Sequence, residues 1–381
     1  MTTEVKERTT VDASLDATLF TTEDEDTFLD FIEDRERNLD DLSVPVRNLF
    51  VSTDTDSVTG ITDGARREAT YAVDTDGGLF ALRDIAIPSL LERARISGAA
   101  LGCLSADTFA EIVTKCLQTS KESEETFLRV QDGKVGAFCA STYKIIPQPE
   151  IYKTAEEEID RLFGGLFVNG AYSHRITLAE YTATLPAKGY QTIFIAKGMD
   201  FDELKMSIKV ATSDTGYSGL NIYPSIRGTD QSGRILRIPI LGEIAMPHKG
   251  SASLEKFRDN LSLAFAQSEK SLERISELDE IVLNYPFNAF CNVLKKVSIS
   301  KKLAKRVIDR FAVTTGNKGT ASAADLYFQA CEIAGDIDES DSLGLMSLEE
   351  SIAKMLKLNN KSWEELDSSV NCWSFNIIEG V

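Results

Sequence analysis

Between Thr177 and Ile240 the chain carries five short segments, TLAEYTATL, YQTIFIA, KMSIKVATS, LNIYPSIRG and RILRIPI, several of which alternate apolar and polar side chains. A period of two puts the apolar residues on one face of a pleated strand, so these segments read as a half-exposed antiparallel sheet. From Ser253 the period lengthens, and Leu254, Phe257, Leu261, Phe265, Leu272, Ile275 and Leu278 recur at the spacing of an amphipathic helix. Strands grouped in one stretch and helices in the next argue against regular βαβ alternation, and the expected class is α+β. No internal repeat is present.

Ahead of the sheet the pattern is mixed. VPVRNLFVS and EATYAV are β-like runs around a Gly/Asp/Thr-rich stretch that reaches Gly64. Ile85, Leu90, Leu91 and Ala94, then Ile112, Val113, Cys116 and Leu117, mark two helices, the second capped by Ser105 or Asp107. Asp132-Gly133 between Phe127, Leu128, Val130 and Val135, Ala137, Phe138, Cys139 is a hairpin signal. TAEEEIDRLFGGLF predicts a helix that starts near Thr154, with Glu157 in capping-box spacing, and ends at Gly164-Gly165. Three regions follow: an acidic N-terminal arm (1–42), an α+β core with an antiparallel sheet (43–252) and a mainly helical C-terminal region (253–381).

Charge is unevenly spread. The 381 residues hold 41 Lys+Arg against 60 Asp+Glu, a net charge of -19, with 43% hydrophobic residues, enough for a large core. Residues 1–42 carry 14 acids and four bases. That stretch reads as a solvated arm with one short helix; the alternative is that Phe28, Leu29, Phe31 and Ile32 dock this helix on the body or on a partner protein. No run approaches 18 apolar residues and the first residues lack a basic start before an apolar stretch. A membrane span and a secretory signal are therefore not expected, and the cytoplasm of a bacterial host is.

Several chemistries lack their signatures. GxxxxGK[ST], GxGxxG in a strand–turn–helix setting and GxSxG do not occur. The six cysteines, Cys103, Cys116, Cys139, Cys291, Cys331 and Cys372, are widely spaced among apolar neighbours and read as reduced core thiols. GDIDESDS lacks the central glycine and final glutamate of a calcium loop. With only His174 and His248, acid–base chemistry has two candidates. His174, beside Arg175 at a strand start, suits an anion or a proton near neutrality, and His248 lies on a Pro/Gly loop. No cofactor, metal or catalytic residue is expected; an enzyme using His174 with a carboxylate is the least favoured reading.

One segment reverses the charge. Residues 292–318 hold Lys295, Lys296, Lys301, Lys302, Lys305, Arg306, Arg310 and Lys318 against Asp309 alone. In SISKKLAKRVIDRF, Ser300 caps a helix with Leu303, Val307, Ile308 and Phe311 inward and Lys301, Lys302, Lys305, Arg306 and Arg310 outward, a face that can track phosphates. The competing reading is that this face neutralises the acidic arm or residues 331–369, which carry ten acids and three bases. Tyr143-Lys144, Tyr152-Lys153, Tyr190, Tyr217 and Tyr223 near Arg227 are candidates for base stacking, and Tyr143 and Lys144 are expected on the same surface as the basic helix.

FLRVQDGKVGAFCASTYKII, IKVATSDTGYSGLNIYPSIRG and GNKGTASAADLYFQACEIAGD, in this order and spacing, resemble the phage/plasmid-like family known as domain of unknown function 932, over roughly residues 45–340. Ser141, Tyr143 and Lys144 are similar to its Ser-x-x-Tyr-basic step, and Thr212, Ser213, Asp214 and Gly216 to its Ser-acid-x-Gly step. Where the family commonly has Cys-Asn-Gly, this chain has Arg227-Gly228-Thr229. The resemblance implies residence on a mobile genetic element and no established activity. The expected function is a non-enzymatic accessory protein that binds single- or double-stranded nucleic acid or a nucleic-acid-processing partner. A structural or assembly protein of the particle, acting as a homo-oligomer, is the alternative.

Overall fold

The computed structural model describes residues 18–53, 71–75, 78–97, 101, 104–131, 133–184, 194, 201–230, 235–241, 244–315, 319–335, 342–370 and 372–373. The chain opens with β1 (Phe20–Thr22), α1 (Glu25–Arg37), β2 (Leu39–Pro45), β3 (Phe50–Thr53), β4 (Tyr71–Thr75) and β5 (Gly78–Leu82). It continues through α2 (Ala86–Arg93), α3 (Ala106–Gln118), β6 (Glu125–Gln131), β7 (Lys134–Ala140) and α4 (Gln148–Phe163). Then come β8 (Leu166–Tyr172), β9 (Thr177–Ala183), β10 (Phe201–Thr212), β11 (Leu220–Asp230), β12 (Ile235–Pro239) and β13 (Ile244–Met246). The last stretch holds α5 (Leu254–Glu280), β14 (Val282–Leu283), α6 (Pro286–Lys296), α7 (Lys301–Thr315), β15 (Ala321–Ser322), α8 (Ala323–Gly335), α9 (Ser342–Ala353) and α10 (Asn360–Leu366).

The fold is α+β, with two main sheets. The smaller runs β2-β6-β7-β5-β4-β3, all antiparallel except the β5–β7 pair, and α2 and α3 pack on it. Its central hairpin is the Asp-Gly turn expected from sequence, with Gly133 at φ 71°. The larger sheet runs β1-β8-β9-β10-β11-β12, with β13 also paired to β11, antiparallel throughout. Four of the five expected strand segments are β9 to β12; YQTIFIA lies outside the described residues apart from the buried Phe194. No helix of the described residues is long and apolar enough to cross a membrane.

The expected arm is part of the body. Residues 1–17 lie outside the described ones, but β1 pairs with β8 (Phe20 opposite Tyr172) and Phe28 and Ile32 of α1 are buried in the main core. Asp24 starts α1 by accepting from the Thr27 amide at 2.8 Å, and Phe20 stacks on Phe31 at 3.9 Å between ring centroids. Apolar burial outweighs the solubility of the flanking acids, several of which find cations: Glu33 pairs with Lys153 and Asp34 with Arg37. One core unites α1, α4, the apolar face of the large sheet and the C-terminal helices, while a second lies within the small sheet and its helices. The packing therefore does not divide at residues 42 and 252.

The α4 start also differs from expectation. Pro147 precedes the first turn and Pro149 lies within it, so the helix begins at Gln148 and Thr154 is buried mid-helix rather than capping. Gly164, at φ 57°, ends it as expected.

Large-sheet strands present two unlike faces. Ala179, Tyr181, Met206, Ile208, Val210, Ile222, Ile226 and Ile238 point into the main core. The opposite face carries a buried ionic cluster under α9: Arg237 Nη1 donates to Glu180 Oε1 at 2.7 Å, Ser207 Oγ donates to the same oxygen at 2.6 Å, and Lys209 pairs with Glu349. Burial alone would raise the Glu180 carboxyl, but the Lys209 and Arg237 charges and the hydrogen bonds from Ser207 and Arg237 hold it at about 2. Lys209 has no solvent exposure, so loss of either partner strands a buried charge.

Two measurements check this arrangement. A Cβ at Gly170 would lie 2.1 Å from the Phe28 ring, so Gly170→Ala is expected to destabilise by about 1–3 kcal/mol. Phe28→Ala should cost about 3–5 kcal/mol, and in that background Gly170→Ala should cost far less, read as denaturant midpoints in a double-mutant cycle. Because the Glu180 carboxyl is depressed on folding, its contribution is full above the unfolded carboxylate range and is lost as pH falls through about 2. Glu180→Gln should therefore flatten the stability–pH curve between about pH 4.5 and 2, a difference on the order of 3 kcal/mol.

Candidate functional site

α6 and α7 are joined by four residues, Val297–Ser300, with Ser298 in the left-handed region at φ 69°. The Ile299 amide donates to Leu294 O at 2.9 Å and the Ser298 amide to Lys295 O at 3.0 Å, a Schellman closure with serine where glycine is usual. Ser300 then caps α7 as expected, accepting from the Leu303 amide at 3.3 Å. Phe290 of α6 meets Phe311 of α7 at 5.0 Å, and Ala304, Val307 and Ile308 are buried. Helix, four-residue turn, helix is a connection that αα-hairpins and helix–turn–helix units share.

α6 is anchored along its length. Asp367 accepts from the Asn284 and Tyr285 amides at its start, and Asn288 and Asn292 donate to Ser368 O and Leu366 O. That leaves Lys295, Lys296, Lys301, Lys302 and Lys305 exposed in a row across the turn. Lys295, Lys296, Lys302 and Lys305 make no ion pair with a described residue. Three of the ten acids of 331–369 have partners elsewhere: Glu349 with Lys209, Glu350 with Lys354, and Asp367 on α6 amides. Arg306 and Arg310 lie on the same helix, their side chains outside the described ones. Leu303, expected inward, is 44% exposed, because the inward stripe is set by Ala304, Val307 and Ile308.

Tyr143 and Lys144 stand on other elements. Tyr143 forms an isolated bridge with Lys249, its hydroxyl donates to Ser213 O at 3.5 Å, and burial raises it well above the usual phenol range. The Lys144 amide donates to His248 O at 2.9 Å, while its side chain is exposed. α7 packs instead on α6 and α8. Of the other tyrosines, Tyr152 is fully buried with its hydroxyl on Thr177 O, Tyr190 lies outside the described residues, Tyr217 is exposed beneath Arg175, and Tyr223 is half-buried.

A second feature lies where the two sheets meet. Arg35, Leu39, Arg83, Ile85, Arg129, Gln131, Gly136, Tyr172, His174, Asp214 and Thr215 line a small pocket, partly open to solvent, with room for about one water. Arg35 donates to Asp214 Oδ2 at 2.7 Å and lies 3.8 Å over the Tyr172 ring. Arg83 Nη1 is 3.4 Å from His174 Nδ1. Burial first, then the Arg83 and Arg35 charges, lower the His174 ring below the ordinary histidine value. His248 is buried instead against Thr212, 3.0 Å from Oγ1 to Nε2, a structural place. The motifs around Tyr143 and around Asp214, distant in sequence, meet at this seam.

Sequence reading missed Arg35, Arg83 and Arg129, which come from α1, the β5–α2 turn and β6. The one local signal was Arg129 itself, a charge between Leu128 and Val130 in a strand whose neighbours are all core residues. Cys139, Cys291 and Cys331 are buried thiols, Cys116 is half-buried and Cys372 exposed, all unbridged; Cys103 and most of GDIDESDS lie outside the described residues. No cluster of metal-ligating side chains occurs among the described residues. Compared with known protein families, with curated proteins and with solved structures, the chain matches none.

The turn gives a direct check. Serine in the left-handed region costs roughly 1 kcal/mol relative to glycine, so Ser298→Gly is expected to raise the thermal midpoint by about 1–3 °C without changing the helical signal.

Proposed function

We propose that the protein is a non-enzymatic accessory protein of a phage or plasmid that binds nucleic acid through the α6–α7 unit. The observation that carries the reading is the row of exposed lysines, Lys295, Lys296, Lys301, Lys302 and Lys305, on a helix–turn–helix connection inside a chain of net charge -19. An acidic protein repels a polyanion unless its field is divided, and the five exposed lysines supply such a division. The second helix of such a unit enters the major groove with its N-terminal residues foremost, which places Lys301, Lys302 and Lys305 against a duplex. Leu303 between them offers an apolar contact of the kind made to a thymine methyl. Residence on a mobile element rests on the three motifs alone.

Fluorescence anisotropy of a labelled duplex and the matching single strand tests the reading. Micromolar or tighter duplex binding is expected at about 50 mM salt, weakened on the order of 100-fold at about 200 mM, since some four phosphates would be neutralised. Lys301→Glu/Lys305→Glu, both exposed, should keep the fold and lose binding. Absence of binding at either salt, or binding that this variant retains, would overturn it.

A further inference from the structure

The segment that follows α10 returns along α6. Asn292 holds it with both ends of its side-chain amide: Nδ2 donates to Leu366 O and Val370 O, each at 3.1 Å, and Oδ1 accepts from the Cys372 amide at 2.8 Å. Asn288 donates to Ser368 O at 3.0 Å, and Trp373 packs against the main core. Cys372 is thus fixed on both sides, and its sulfur is set against the residue before Asn292: Cys372 Sγ donates to Cys291 O at 3.4 Å. Two cysteines 81 residues apart in sequence meet there, one exposed and one buried. A disulfide has a short reach, and one sulfur resting on the backbone of the other cysteine is the approach it needs. Burial first, then the Cys372 charge, push the Cys291 thiol up to about 12, so the exposed Cys372 is the thiol that meets an oxidant.

We propose that Cys291 and Cys372 are a peroxide-responsive thiol pair whose disulfide staples the C-terminal segment onto α6. In the first step the Cys372 sulfur attacks one oxygen of hydrogen peroxide. The S–O bond forms as the O–O bond breaks, and the thiol proton leaves with the second oxygen as water. In the second step the Cys291 sulfur attacks the Cys372 sulfenic sulfur. The S–S bond forms, the S–O bond breaks, and the Cys291 proton leaves with the hydroxide as a second water. Two thiol sulfurs are oxidised by one electron each, and both peroxide oxygens are reduced to water. Contact between the two residues makes the second step intramolecular, which offsets the weak nucleophilicity of a protonated Cys291. The bond closes a loop that contains α7, α8, α9 and α10, so the oxidised chain has less freedom when unfolded and melts at a higher temperature. An exposed thiol beside a resolving one is the arrangement of a reversible redox sensor, the use of disulfides expected in a reducing compartment.

The full-length protein, reduced and freed of reductant, is exposed to hydrogen peroxide in modest excess, blocked with N-ethylmaleimide and digested without reductant for mass spectrometry. The expected product is a linked Cys291–Cys372 peptide that forms about tenfold faster, or more, in the native chain than in the chain unfolded in guanidinium. With it the thermal midpoint should rise by roughly 2–5 °C, a shift that dithiothreitol reverses. Cys372→Ser, at an exposed position, should keep the fold and show neither effect, and Cys291→Ser should stop at a Cys372 sulfenic acid that dimedone traps. The proposal is overturned if peroxide leaves both thiols unmodified, if Cys372 is oxidised without the linked peptide or pairs with another cysteine or a second chain, or if linkage is no faster in the native chain. A linked chain with an unmoved midpoint, or a shift that persists in Cys372→Ser, overturns the staple. No step involves the lysines of the α6–α7 surface, so the outcome is independent of nucleic-acid binding.

Discussion

Met206, Ile208 and Val210 on β10 and Ile222 and Ile226 on β11 face an apolar layer that also receives Phe28 and Ile32 from α1, Ile151 and Ile159 from α4, and Phe257 and Leu261 from α5. Both ends of the described chain are held by this layer. Through α5 and α8 it fixes the platform on which α6 and α7 stand, and through α1 it brings Arg35 to the junction of the two sheets. The basic surface rests on C-terminal helices packed on this layer, and the seam pocket on α1 docked to it from the N-terminal side.

The reverse face of that sheet is held by charge. Glu180, Lys209, Arg237 and Glu349 form a buried set that fixes α9 over β9, β10 and β12. Such a set contributes less net stability than an apolar patch of the same size but tolerates few alternative packings of α9. Glu349 is thus held on the large sheet, and Asp367 caps the start of α6. Lys295, Lys296, Lys301, Lys302 and Lys305 of the charge reversal are exposed in the folded chain.

Local signals were legible where local physics decides. The Asp-Gly hairpin, the Ser105 and Ser300 caps, Gly164 and the alternating strands β9 to β12 each follow from neighbours within a few residues. Illegible were the features set by distant partners. Acids around Phe28 suggested a solvated arm, yet two buried side chains and a glycine placed 140 residues away dock it. Leu303 satisfied a helical stripe with Val307, Ile308 and Phe311, which are buried, but Ala304 takes its place in the core. The basic helix was visible as composition; the arginines of the seam, scattered over about 95 residues, were not.

A protein of this charge meets a polyanion only by presenting one surface and turning the rest away. Hydrogen exchange read by mass spectrometry, with and without a saturating DNA duplex, reports that surface directly, because bound phosphates protect the amides beneath them. Slowed exchange confined to peptides spanning residues 295–311 is expected if the α6–α7 face meets the duplex. Unchanged exchange there under saturating duplex, with protection elsewhere or nowhere, would contradict it.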